Sequence, residues 1–95
     1  MEMFKFTGIV SKEPSGYASL CPELDVASTG LTVEDAKAML LEAATLHIEG
    51  AIEDGLPYLR PIPLNDDPRN AAPETVVEVF HGQAQMSEDE FLALI

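Results

Sequence analysis

Between Gly30 and Gly55 lies the one stretch long enough to dictate an architecture. Its opening, Gly-Leu-Thr-Val-Glu-Asp-Ala, lets Thr32 accept a hydrogen bond from the amide of Asp35 while Asp35 reaches back toward Thr32. That is a shortened capping box with Asp in place of Glu, and the acids Glu34 and Asp35 suit the positive end of a helix dipole. Ala36, Leu40, Ala43, His47 and Ala51 then recur at three- and four-residue spacing, and Gly55 followed by Pro57 stops the run. The spacing predicts a helix from Val33 to Asp54 that packs its Ala36, Leu40, Ala43 and His47 side. The small residues Ala36, Ala43 and Ala51 would let it lie close to a sheet. Free amides at a helix start also attract anions, but two acids in the first turn oppose that, so the junction is read as a turn plus a cap.

A helix with one apolar stripe needs a sheet to cover it, and the flanks supply strands. Met3 to Val10 is rich in residues suited to a pleated surface and ends at the turn formers Ser-Lys-Glu-Pro-Ser-Gly. In Tyr-Ala-Ser-Leu-Cys-Pro-Glu-Leu, Tyr17, Ser19 and Cys21 share one side and Ala18 and Leu20 the other, until Pro22 removes a ladder donor. Asp-Val-Ala-Ser-Thr-Gly alternates in the same way up to Gly30, which completes an antiparallel meander. Residues 56–74 hold five of the seven prolines without any period and read as an irregular connection. Thr75 to Phe80 is the strongest strand signal, and its link to the sheet would be right-handed if it landed parallel to its neighbour. Ser87 caps Glu-Asp-Glu-Phe-Leu-Ala-Leu-Ile, a short C-terminal helix. The expectation is one α+β domain over residues 1–95: a three-stranded antiparallel meander, a covering helix and a fourth strand (βββαβ), plus that last helix.

Charge narrows the function. Five lysines and arginines stand against seventeen aspartates and glutamates, a net charge of -12. Direct nucleic-acid binding relies on clustered basic residues, so none is expected; a basic protein is the natural partner. Cys21 is the sole cysteine, which rules out an intrachain disulfide and agrees with the cytoplasm. The start of the chain lacks the pattern of a secretory signal, and no apolar run approaches the ~20 residues needed to cross a membrane. Open sheet edges favour pairing with a second copy, so a homodimer or larger assembly is expected.

Catalytic alternatives are weaker. Two-metal chemistry requires carboxylates converging on ions ~4 Å apart. Asp25, Glu34 and Asp35 could be imagined as such a set, but capping explains the last two and the first strand offers no acid. His47, His81 and Cys21 lack the close spacing of zinc ligands. His47 reads as a partly buried histidine bonded to backbone, and Cys21, followed by proline, as a packing residue. No catalytic residue, metal or other cofactor is expected.

Four features in order, Gly16-Tyr17-Ala18, Cys21-Pro22-Glu23-Leu24, Gly30-x-Thr32-x-x-Asp35-Ala36 and Glu42-Ala43, give residues Phe4 to Pro63 a resemblance to the HicB-like antitoxin family. The resemblance implies a partial ribonuclease-H-like βββαβ fold and a non-catalytic antitoxin that covers the active site of a small basic ribonuclease toxin of HicA type. Many members add a C-terminal DNA-binding domain. Here the fifteen residues after Phe80 contain no lysine or arginine, so a short or stand-alone member is expected. The implied role places an acidic patch against the toxin, and Tyr17, Glu23 and Asp25 around the second strand and its following turn are the expected contact set. A packed Tyr17 and two solvated turn acids would explain the same letters. Alternatives are a protein-binding module of this fold with another partner and a degenerate ribonuclease-H-like nuclease.

Overall fold

A computed structural model describes the backbone of residues 2–86 and the side chains of residues 5–83. Four strands, β1 (Glu2–Glu13), β2 (Gly16–Cys21), β3 (Val26–Gly30) and β4 (Val76–Met86), form an antiparallel sheet in the order β3-β2-β1-β4. One long helix, α1 (Val33–Asp54), crosses between β3 and the final connection. The α+β meander, covering helix and fourth strand match the expectation. β4 runs antiparallel to β1, so no right-handed parallel crossover arises. The expected C-terminal helix from Ser87 lies outside the described residues.

The caps of α1 are where local chemistry puts them. Thr32 Oγ1 accepts from the Asp35 amide at 3.0 Å, and Gly55 ends the helix in a left-handed conformation (φ 69°) while its amide and that of Leu56 close on Ile52 and Ala51. The packed face, however, is Ala36, Leu40, Ala44, Ile48 and Ala51. Ala43 and His47 flank it half-buried. The sequence offers two adjacent apolar stripes about 100° apart around the helix, and the larger Ile48 takes the core in place of His47.

Beneath α1 the sheet presents Phe6 and Cys21, which pack with Leu24, Leu40, Ala44 and Ile48. Gly30 lets the helix approach: a Cβ there would collide with the Ala36 amide nitrogen and stand 2.8 Å from the Asp35 carbonyl carbon. β1 and β4 both outrun their sequence signals because two Phe-x-Gly triplets, Phe6-Thr7-Gly8 and Phe80-His81-Gly82, face each other in antiparallel register. Phe6 stands opposite Gly82 and Phe80 opposite Gly8, and each ring occupies the space that a Cβ on the opposing glycine would need.

The connection after α1 is less irregular than its prolines suggest. It contains a single turn at Leu64–Asp66, a one-turn helix α2 (Pro68–Ala71) and another turn at Pro73–Thr75. Asp67 caps α2 and grips Arg69 through its side chain (Nη2 to Oδ2, 2.7 Å). That bond is the main reason its carboxyl lies below the usual aspartate range. α2 and the last turn lie against β1 on the sheet face away from α1, where Ile9 is buried. Among the described residues no helix is long and apolar enough to cross a membrane.

Candidate protein-binding surface

The turn between β2 and β3 is held from two sides. β1–β2 pairing ends at Ile9 and Leu20, which leaves the Thr7 amide past the last rung. Glu23 fills the gap: its carboxylate accepts from the Thr7 amide at 3.0 Å and from the Thr7 hydroxyl at 2.6 Å. On the other side, the carbonyls of Pro22 and Glu23 accept from the amides of Ile62 and Arg60, both at 3.0 Å. Leu24 is fully buried beneath. Asp25, exposed, turns the chain with a left-handed φ of 52°, a conformation that aspartate tolerates better than most residues.

Burial works to raise the pKa of Glu23, but the two hydrogen bonds from Thr7 outweigh it and hold the carboxyl below its ordinary value of 4.5. A depressed folded pKa contributes stability in full above the unfolded value and loses it as pH falls through the folded one. Glu23→Gln keeps the shape and removes the charge, so it is expected to cost about 1–2 kcal/mol at neutral pH. It should also make the loss of stability between pH ~7 and pH ~3 shallower than in the wild type. Urea melts across that range check it; parallel curves for the two proteins would mean that Glu23 does not titrate against the fold.

Tyr17, the third residue of the expected contact set, stands elsewhere. It opens β2 opposite Lys12 and Gly30, half-buried, with Lys12 Nζ 4.5 Å from its ring centroid. Four steps along the strand, about 13 Å, separate it from Cys21, so the structure brings Glu23 and Asp25 together and places Tyr17 at the far end of the hairpin beside the exposed Leu31.

A further surface was not read from the sequence. Asp35, Met39, Glu42, Leu46, Glu49 and Glu53 lie within an arc of about 80° on α1, opposite its buried face, and all are exposed. Leu46 is 60% exposed. The signal was available in the spacing of i, i+4, i+7, i+11, i+14 and i+18, which alternates acid with large apolar residues. The cations, by contrast, are mostly occupied. Lys37 pairs with Glu78 at 2.6 Å and lies over the Phe80 ring, Arg69 holds Asp67, and Lys12 rests on Tyr17. The outward field is therefore set by acids.

The groups considered for catalysis are dispersed. β3 separates Asp25, at one end, from Glu34 and Asp35, past the other, and no three His, Cys, Asp or Glu side chains among the described residues could hold a metal ion. Burial, followed by the charge of Glu23, pushes the Cys21 thiol up to about 12, so it stays protonated and unreactive at neutral pH. His47 Nε2 donates to the Tyr58 carbonyl at 2.8 Å, which ties the end of α1 to the connection.

No family model and no curated protein matches the sequence. Solved structures do. A chain of the HicA3 and HicB3 toxin-antitoxin complex is 22% identical with a TM-score of 0.58, over 88% of this chain and 99% of that one. The crystal structure of antitoxin HicB3 is 24% identical with a TM-score of 0.55, over 88% of this chain. The match spans 62% of HicB3's own length. On these likenesses the chain has a HicB-like antitoxin fold.

Proposed function

We propose that this protein is a non-catalytic antitoxin or regulator of HicB type that binds and neutralises a small basic ribonuclease toxin of HicA type in the cytoplasm. The observation that carries the reading is the one-sided surface: on a HicB-like fold, the bases Lys12, Lys37 and Arg69 are engaged internally while acids face outward. A toxin that grips RNA needs a basic cleft, and complementary charge steers such partners together. Asp25 supplies free charge at one end of the β2–β3 hairpin, Glu23 holds that turn in place, and Tyr17 offers an aromatic contact at the other end. The outer ridge of α1 extends the acidic field and adds Met39 and Leu46 as apolar anchors.

The test titrates the purified chain into RNA cleavage by a HicA-type toxin. Cleavage should stop near equal stoichiometry, and the chain alone should cleave no RNA and bind no DNA. Asp25→Asn and the pair Glu42→Lys, Glu49→Lys should slow association and flatten its dependence on salt, each about 3- to 10-fold or more. Undiminished cleavage at excess antitoxin would overturn the toxin reading. Metal-stimulated RNA cleavage by the chain itself would instead favour the nuclease alternative.

A further inference from the structure

Gly50 sits in the interior of α1, where a glycine costs stability relative to alanine, yet the packing of the chain gives no reason for it. A Cβ there would meet no atom within 4 Å, in contrast to Gly30, and its backbone is not in the left-handed region that Gly55 needs. Over it lies an open groove of about 430 Å³. Leu46, Gly50 and Asp54 line one wall, and their four-residue spacing carries the groove along α1 for about 12 Å. Leu56, Pro57 and Arg60 form the other wall, and the bond from His47 to the Tyr58 carbonyl at 2.8 Å ties the two together. Leu46 and Leu56, one on each wall, are 60% and 61% exposed.

A trough with leucine on both walls and bare helix backbone on its floor suits a second helix, because how closely two helix axes approach depends on the side chains where they meet. Charge selects which helix. Glu49 and Glu53, both exposed, flank the trough on its ridge side within one turn of Gly50, and Leu46 belongs to ridge and trough alike. Asp54 adds a third acid, against the single base Arg60. We infer that the groove receives an amphipathic helix of a basic protein, its apolar side over Gly50 and its lysines or arginines toward Glu49 and Glu53; resting on the reading above, that protein is the toxin. The Arg60 side chain makes no hydrogen bond or ion pair among the described residues, which leaves its donors for a carbonyl at the end of the incoming helix. The glycine thus trades helix stability for room at a docking site.

Two ligands test this: a HicA-type toxin, and a designed peptide of about 15 residues with leucine on one helical face and lysine on the other. In nuclear magnetic resonance titrations of the isotope-labelled chain, the peptide should shift amides centred on Leu46, Gly50 and Arg60. Gly50→Leu fills the trough without touching any charge and should weaken both ligands by at least ~10-fold, while its melting temperature stays or rises. Leu56→Ser, on the other wall, should weaken both by about 3-fold or more. Leu64→Ser, at a leucine 79% exposed outside the groove, should leave both affinities as they are. Wild-type affinity of Gly50→Leu for the peptide, or shifts confined to the β2–β3 turn, would overturn the docking site. Peptide bound in the groove by a chain that leaves the toxin active would uphold the site and overturn the toxin as its occupant. Undiminished inhibition of the toxin by a Gly50→Leu chain that has lost the peptide would overturn that occupant too. If Gly50→Leu fails to fold, Leu56→Ser against Leu64→Ser decides.

Discussion

Gly30→Ala is expected to destabilise the fold by about 3 kcal/mol, the upper end for overpacking. The position does not need an unusual φ; it needs the absence of a side chain. An added methyl would meet the Ala36 amide nitrogen and the Asp35 carbonyl carbon, and both belong to the first turn of α1, which cannot rotate away as a flexible side chain could. The helix start must lift from β3, and the burial of Ala36 and Leu40 loosens with it. Gly50→Ala is the internal control. Nothing lies within 4 Å of a Cβ there, and removing a glycine from a helix interior should raise stability by about 0.5–1 kcal/mol. Opposite signs for the two substitutions in urea melts are the expected result, and a neutral Gly30→Ala would mean that α1 does not rest on β3.

Leu40→Ala should cost about 2–5 kcal/mol, since it removes a buried side chain and leaves a cavity that the sheet cannot collapse to fill. Leu40 is 0% exposed and packs in the cluster that joins Phe6, Cys21, Leu24, Ala44 and Ile48. Against a typical total of about 5–15 kcal/mol, such a loss takes up a large part of the stability of a small domain. Leu46→Ala deletes the same atoms from the outer ridge, where the side chain is 60% exposed, and should change stability by less than about 0.5 kcal/mol. It should nonetheless weaken toxin binding if that ridge is the contact. Calorimetric melting of both variants separates the two roles, and equal destabilisation would show that the packed face of α1 is wrongly assigned.

The ends of α1 were legible in the sequence because capping is local: Thr32 and Asp35, or Gly55 and Pro57, act over a few residues. The buried face was not, because Ala43 and Ala44, or His47 and Ile48, offer neighbouring stripes that helical spacing alone cannot rank. Only the shape of the sheet chooses between them. β4 runs to Met86, past its reading to Phe80, because Gly82 and Gln83 carry little strand preference of their own and are placed by what stands opposite. Glu23 shows the same limit at the candidate site. Its partner Thr7 is sixteen residues away, so a residue that reads as a solvated turn acid is in fact part of the frame. The acid and apolar alternation along the outside of α1 needed no long-range information.

The facing Phe-x-Gly triplets also bear on how much freedom the chain has in bringing its last strand home. A slip of two residues along β1 would keep every side chain on its proper face, so polarity alone does not forbid it. Shape does: a slip in one direction would set Phe6 directly against Phe80 and overfill the space, and a slip in the other would set Gly8 against Gly82 and leave a hollow. β4 is thus aligned by a lock between rings and notches rather than by the length of the segment that delivers it. Inserting a few residues into the exposed stretch around Leu56 and Pro57 should leave the alignment of β1 and β4 unchanged, whereas exchanging the order of Phe80 and Gly82 should scramble it.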